Sequence, residues 1–277
     1  DLARERSRVR PTPLIPSPWL SASTVTNASH ATSRSAAWPR IEPRNTREAF
    51  ATILTSDDLL YFRGALVLAA SIRIYDTSRD LVMLAVQGLV PHAWYPVARR
   101  FGWKVREVPV LEGGDWWDLC GRGKSGTDAT NQEVRWGRMS TKLRLWELTE
   151  YERVCFVDAD GFIVGEPRAV FDQPGDLVAE AGLVSKSARA PTFNAGFMVL
   201  RPSQAMMDAL VARGAHAPPQ LFGNSLDCTE QGLLNGYFFE HPELRVHRVR
   251  IHRSLGDEAG EGEGERLPIG HFITLNC

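Results

Sequence analysis

Val154-Cys155-Phe156-Val157-Asp158-Ala159-Asp160 is the stretch that decides the fold. Its four apolar residues make a strand suited to the middle of a sheet, covered on both faces. Two aspartates follow at i and i+2, and extended backbone at that spacing puts both side chains on one face. Carboxylates that close repel one another unless a proton or a cation sits between them. Open α/β sheets bind their ligands at the carboxyl ends of strands. A hard divalent cation, held by carboxylates and by substrate phosphates, is the natural occupant of such a place. Asp is also common in ordinary turns, so the pair by itself is a weak signal.

Outward from this strand the chain alternates between strand and helix. Ala49 to Leu54 reads as a buried strand, Thr55-Ser56-Asp57-Asp58 as a polar turn, and Leu59 to Ile74 as a helix. Leu81 to Val86 and Lys104 to Val110 are further strands, with a helix over His92 to Phe101 between them. Ser140 to Glu147 is expected to be helical, with Met139, Leu143 and Trp146 on one face. Beyond the central strand, Phe193 to Leu200 reads as a strand. Pro202 opens a helix to about Arg213, and Thr229 to Phe239 forms a helix carrying Glu230, Gln231 and Asn235. Alternation at these short intervals predicts an α/β domain with a mostly parallel central sheet flanked by helices.

Three segments break the pattern. Residues 1 to 45 carry Pro11, Pro13, Pro16, Pro18, Pro39 and Pro43 among Arg, Ser and Thr, and are expected to form a disordered arm. Asn27-Ala28-Ser29 in this arm matches a glycosylation sequon. Glu112 to Glu133 lacks a period and reads as a long loop. Gly256 to Glu265 is an acidic, glycine-rich tract with the signature of a solvated loop. The domain therefore runs from 46 to 277, with a divergent or truncated part after 240.

Composition narrows the function classes. The chain has 277 residues, 43% hydrophobic and 23% charged, with a formal net charge of -1, which leaves no electrostatic footprint for nucleic acid. Its four cysteines, at 120, 155, 228 and 277, form no CxxC pair, which argues against a zinc knuckle or a disulfide scaffold. No apolar run approaches the roughly 20 residues of a membrane span. A cytoplasmic location is expected, with the Golgi lumen as the alternative if an N-terminal anchor precedes Asp1.

Two enzyme classes place paired aspartates at a strand end. The string Val157-Asp158-Ala159-Asp160-Gly161 resembles the nucleophile motif of haloacid dehalogenase-like phosphatases, but that motif usually opens its domain, and here about 100 residues of expected order precede it. The broader resemblance is to the family-8 retaining glycosyltransferases, most of all the glycogenin branch. It rests on five motifs in order: Leu54-Thr55-Ser56-Asp57-Asp58 with Gly64-Ala65-Leu66-Val67-Leu68; Ser140-Thr141-Lys142-Leu143; Phe156 to Asp160; Phe193-Asn194-Ala195-Gly196-Phe197; and Glu230-Gln231-Gly232-Leu233-Leu234-Asn235. The resemblance spans about Ala49 to Phe239 and resumes at His271-Phe272.

The resemblance implies a single GT-A type nucleotide-sugar-binding domain and transfer of a hexose from a UDP-sugar to an acceptor hydroxyl of a glycan, lipid, polyol or protein. It implies that Thr55, Ser56, Asp57 and Tyr61 hold the uridine, and that Asp158, Asp160 and His271 hold Mn²⁺, with Mg²⁺ as the alternative. Lys142 would contact phosphate or sugar hydroxyls. Asn194, Ala195 and Gly196 would face the sugar. Asp227, Glu230 and Gln231 match a family stretch reading DxxDQ and would flank the anomeric carbon, with Glu230 one methylene longer than the family's Asp. Retention could follow from two displacements, with Asp227 or Gln231 near the anomeric centre, or from same-face attack. A homodimer is an expected assembly. The family's Gly and Lys-Pro-Trp after the His-Phe pair are replaced by Ile273-Thr274-Leu275-Asn276-Cys277, and no Tyr follows Tyr237, so self-glucosylation is not expected. A fold that binds nucleotide-sugar without catalysis is the other reading of these departures.

Overall fold

The computed structural model of the chain describes residues 47–111, 140–182, 192–216, 221–222, 225–226, 229–253 and 266–271. The expected arm, the expected loop over 112–133 and the acidic tract lie outside the described residues.

A nine-stranded sheet organises the domain. Its strands are β1 (Glu48–Leu54), β2 (Asp80–Val86), β3 (Trp103–Val108), β4 (Arg153–Val157), β5 (Gly161–Ile163), β6 (Leu177–Ala181), β7 (Phe193–Leu200), β10 (Val246–Arg253) and β11 (Arg266–His271), in the order β3-β2-β1-β4-β7-β6-β10-β11-β5. The short strands β8 (Leu221–Phe222) and β9 (Ser225–Leu226) pair separately. The pairs β1–β2, β1–β4, β2–β3, β6–β10 and β10–β11 are parallel. β7 runs antiparallel to both of its neighbours, and β5 antiparallel to β11.

β4 is the strand on which the sheet turns from parallel to mixed pairing, and all five of its residues are buried. Its alternate side chains enter different cores. Val154 and Phe156 pack on one face with Leu143, Leu145 and Trp146 of a 3-10 helix (Ser140–Glu147). Helices α4 (Gln204–His216) and α5 (Glu230–Glu240) complete that layer. Cys155 and Val157 pack on the other face with α1 (Leu59–Tyr75), α2 (Tyr95–Arg100) and α3 (Arg168–Phe171). Burial on both faces explains why the strand reads as an unbroken apolar run rather than an alternating one.

The segment expected to be a helix over His92 to Phe101 divides into a 3-10 turn (His92–Trp94) and α2. The segment 140–147 is helical as expected but wound as a 3-10 helix, in which residues three apart stack. Leu143 and Trp146 stand at that spacing and are both buried. Among the described residues no helix is long and apolar enough to cross a membrane.

Candidate functional site

β1 and β4 are parallel neighbours, so the segments that leave their carboxyl ends emerge side by side. The first of these is Thr55-Ser56-Asp57-Asp58, which leads into α1. The Asp58 carboxylate accepts from the Leu60 N–H at 2.9 Å and caps the helix. The Ser56 hydroxyl accepts from the Asp58 N–H at 3.3 Å. Asp58 therefore serves as the cap, which leaves Thr55, Ser56 and Asp57 before the helix at the expected uridine loop. Tyr61, in the first turn of α1, is packed in part against the core.

The second is Asp158-Ala159-Asp160. The two aspartates were expected on extended backbone, but β4 ends at Val157 and the pair sits in a turn. The Gly161 N–H donates to the Asp158 carbonyl at 2.8 Å and closes this turn into β5, which is why the strand cannot continue. The Asp158 N–H donates to the Gly196 carbonyl at 2.8 Å and ties the turn to β7. Gly64 of α1 presses on the same turn from the other face: a Cβ built on it would lie 2.1 Å from the Ala159 carbonyl oxygen.

Lys142 is the side chain that joins the rest. Its Nζ lies 3.1 Å from Asp158 Oδ1 and 2.7 Å from Glu230 Oε1. It also donates to the Ala195 carbonyl at 3.3 Å and stands 5.0 Å above the Phe156 ring. Only 2% of the side chain is exposed. Its ammonium is shared by three acceptors, the Asp158 and Glu230 carboxylates and the Ala195 carbonyl. Burial acts to lower its pKa, yet Asp158 and Glu230 together raise it above the usual lysine range, so it stays charged. Burial pushes the Asp158 carboxyl up to about 6. Lys142 opposes that rise, while the charges of Asp160 and Glu230 add to it.

Helix α5 brings Glu230 and Gln231 into the same cluster. Gln231 Oε1 accepts from the Ala195 N–H at 3.0 Å, so its carbonyl orients β7. Asn194 Oδ1 accepts from the Gly196 N–H at 2.7 Å. Asn235, which the sequence did not single out as a site residue, grips the main chain of Phe193: Oδ1 accepts from the N–H and Nδ2 donates to the carbonyl, both at 2.9 Å. The signal was its spacing, one helical turn beyond Gln231. The site thus brings together Lys142, Asp158, Asp160, Glu230, Gln231, Asn194, Ala195 and Gly196.

Asp227 and the His271 side chain lie outside the described residues. The backbone of His271 pairs antiparallel with Gly161, the residue that follows Asp160, so its strand ends beside the aspartate turn. Among the described residues no group of three His, Cys, Asp or Glu side chains is arranged to hold a metal ion. The Asp158 and Asp160 carboxylates still fit a cation. Their oxygens are hard donors of the class a divalent cation takes, and Lys142, the charge that acts most strongly on Asp158, already shares Oδ1 at 3.1 Å.

Known proteins share both sequence and fold with this chain. No protein-family model matches it. Human glycogenin-1 is 30% identical over 204 residues, 73% of this chain and 52% of that protein. UDP-glucuronate:xylan alpha-glucuronosyltransferase 1 of Arabidopsis thaliana is 30% identical over 213 residues, 76% of this chain and 28% of that protein. The chain therefore spans about half or less of the length of the curated relatives it matches. Among solved structures, mouse xyloside xylosyltransferase 1 superimposes with a TM-score of 0.52 at 16% identity, over 82% of this chain and 98% of that one, a likeness of fold. These likenesses place the chain with the family-8, glycogenin-like glycosyltransferases, on a GT-A fold.

Proposed function

We propose that the chain carries out metal-dependent, retaining transfer of a hexose from a UDP-sugar to an acceptor hydroxyl. The bond from the anomeric carbon to the UDP β-phosphate oxygen breaks, the acceptor oxygen bonds to that carbon, and the proton of the acceptor hydroxyl passes to the departing UDP or to solvent. One observation carries this reading: Lys142 bridges Asp158, at the carboxyl end of β4, to Glu230, at the start of α5. A phosphate-facing turn and a sugar-facing helix are thereby locked at a fixed separation. Such preorganisation is what a transfer between two bound substrates requires.

In this reading each residue has a role. Thr55, Ser56 and Asp57 offer a strand-end loop to the nucleoside, with Tyr61 beside it. Asp158 and Asp160, with His271 at the end of the neighbouring strand, would hold Mn²⁺ or, less selectively, Mg²⁺. Bound there, such an ion supplies positive charge to the departing diphosphate. Asn194 and Gly196, at the start of β7, would face the sugar, and Gln231 fixes that stretch through the Ala195 N–H. Lys142 is buried and paired with both carboxylates. It orients Asp158 and Glu230.

The test is release of UDP from a panel of UDP-sugars, with and without Mn²⁺, by the wild type and by Asp158→Asn. Turnover that needs Mn²⁺, and that falls about a hundredfold or more in the variant, supports the proposal. Undiminished turnover in the variant overturns the metal assignment. Binding of UDP with no turnover of any donor supports a fold that binds nucleotide-sugar without catalysis.

A further inference from the structure

A cavity of about 630 Å³ opens where α5 ends and where β6 and β10 begin. That volume falls within the range of small-ligand sites. Pro174 and Gly175, just before β6, line one side, Arg245 to Arg248 at the start of β10 a second, and Phe238 and Phe239 of α5 a third. β6 is antiparallel to β7, β7 is antiparallel to β4, and β10 is parallel to β6, so β6 and β10 both run with β4. The cavity therefore lies at the amino end of these strands, whereas Asp158 follows the carboxyl end of β4. β4 and β6 are each 5 residues long, which puts about 17 Å between the two ends.

The walls are tied down. Arg153, buried at the start of β4, donates to the carbonyls of Phe171, Gln173 and Gly175 and fixes the loop before β6. The Asp176 N–H donates to the Arg245 carbonyl at 2.9 Å, and the Arg245 N–H donates to the Asp176 carboxylate at 2.9 Å, which fastens that loop to β10. Gly175 has a φ of 112°, and a Cβ on it would lie 2.9 Å from the Arg245 carbonyl oxygen, so the wall admits no side chain there.

The ionisable residues of the lining are Arg245, His247 and Arg248, all basic. The carboxylates that adjoin the lining in sequence are engaged: Asp176 accepts from the Arg245 N–H, Glu240 pairs with Arg213 at 2.8 Å, and Glu243 pairs with His241 at 2.9 Å. With a formal net charge of -1 on the whole chain, a basic lining is a local feature. Val246 and Arg248 share a face of β10, and Val246 packs against the core layer that α5 covers, so Arg248 projects on the α5 side. Arg245 and Arg248 are exposed, and Phe239 keeps 54% of its surface open. A guanidinium fork matches a carboxylate with two parallel hydrogen bonds. The negative face of an aromatic ring suits the C–H groups on the face of a pyranose.

We infer that this cavity binds an acidic saccharide, with the carboxylate met by Arg245 and Arg248 and the sugar face laid on Phe239, at a site separate from the aspartate turn. A bare inorganic anion leaves the aromatic wall unused, and a neutral sugar leaves the guanidinium groups unused. The choice of a sugar rests on the glycosyltransferase reading above. The binding itself requires neither the donor nor the metal of that reading.

The experiment is calorimetry on the full chain, without UDP-sugar or Mn²⁺. The probes are tetragalacturonate, the same tetrasaccharide with its carboxyls methyl-esterified, and inorganic phosphate. The wild type is expected to bind the acid about tenfold or more tighter than the ester, and phosphate more weakly than either. Arg245→Gln and Arg248→Gln should each shrink the acid-to-ester ratio about tenfold, and Phe239→Ala should weaken both saccharides together. A ratio does not move through general loss of folded protein. Arg100→Gln removes the same charge from an exposed position on α2, across the sheet, and should leave the ratio unchanged. Equal binding of acid and ester by the wild type, or no binding of the acid, overturns the inference. So does an equal fall in Arg100→Gln, which would mean diffuse attraction, or phosphate bound as tightly as the saccharide, which would remove the sugar from the account. Each of these failures leaves UDP release from UDP-sugars as the separate test of the proposed function.

Discussion

Gly64 of α1 sits against the Ala159 carbonyl so closely that the position admits no side chain: a Cβ there would lie 2.1 Å from the oxygen and 3.1 Å from the carbonyl carbon. The obstacle is backbone, and it belongs to the turn that holds Asp158 and Asp160. α1 is fastened to the next residues as well. The Ile163 N–H donates to the Ser71 hydroxyl at 2.9 Å, and the Tyr75 hydroxyl donates to the Val164 carbonyl at 3.2 Å. The helix cannot back away without giving these up. Gly64→Ala is therefore expected to cost about 3 kcal/mol, near the upper end of overpacking changes. It should also weaken Mn²⁺-dependent UDP binding in whatever protein remains folded. Urea unfolding and calorimetry check the two effects, and an alanine variant as stable as wild type would show that the close approach is not real.

Asn235 and Gln231 lie four residues apart on α5, about 6 Å along the helix. Phe193 and Ala195, whose main chains they hold, lie two apart on β7, close to 7 Å along the strand. The two spacings nearly coincide, so one helix face can bond alternate residues of a strand. Asn235→Ala leaves the buried N–H and carbonyl of Phe193 without their side-chain partners. The expected loss is about 2–4 kcal/mol, from one to two unsatisfied buried groups. Asn235→Asp keeps an acceptor for the Phe193 N–H but cannot donate to its carbonyl, and it should fall between alanine and wild type. Denaturant midpoints of the three proteins give the order.

How much of this was legible beforehand depends on what each residue does. β1, β4, β7, α1 and α5 declared themselves because they are buried in runs, and hydrophobic burial writes itself into residue type. β10 did not. It reads Val-His-Arg-Val-Arg-Ile-His-Arg, with Val249 and Ile251 buried, while Arg248 and Arg250 stand exposed. Its existence depends on pairing with β6 and β11, which no local pattern encodes. β5, at three residues, is too short to carry a period. At the site, the aspartate pair and the order of motifs were visible, whereas the burial of Lys142 was not. A single lysine in a helix reads as solvated, and only the fold brings residues 142, 158 and 230 together. Gly64 was quoted as part of a motif, but its reason, the approach to Ala159, lies 95 residues away in sequence.

Acid stability should report on Asp76, which ends α1 far from the aspartate turn in sequence. Burial acts to raise its pKa, but the Arg79 guanidinium, the N–H groups of Ser78 and Arg79 and the Ser78 hydroxyl outweigh it and hold the carboxyl below its ordinary value. The ion pair with Arg79 measures 2.5 Å, and Arg79 in turn reaches Glu48 at 2.7 Å. A carboxyl depressed in the native state binds fewer protons there than in the unfolded chain. Its contribution is therefore complete above the unfolded pKa of about 3.9 and disappears as pH falls through the lower native value. Asp76→Asn keeps an acceptor for the backbone but loses the charge. The variant should be about 1–2 kcal/mol less stable at pH 7, and the two proteins should converge as the solution is taken below the native pKa. Urea midpoints across that range measure it, and a constant gap at all pH values would remove Asp76 from the account.

The Lys142 cluster makes the last prediction, because removal of the cation and removal of an anion should not add. In Lys142→Met the chain length survives but Asp158 and Glu230 lose their counter-ion in a buried place, and breaking such a pair costs about 3–5 kcal/mol. In Glu230→Gln the ammonium keeps Asp158, the Ala195 carbonyl and an amide oxygen, so the loss should be smaller, about 1–2 kcal/mol. With both changes made, the charge left uncompensated by Lys142→Met is partly removed. The double variant should therefore be more stable than the sum of the single effects by about 1 kcal/mol or more, the size of coupling expected between groups in direct contact. Denaturant unfolding of the four proteins closes the cycle. Strict additivity would mean that Lys142 and Glu230 do not sense one another in solution, and the 2.7 Å contact between them would lose its meaning.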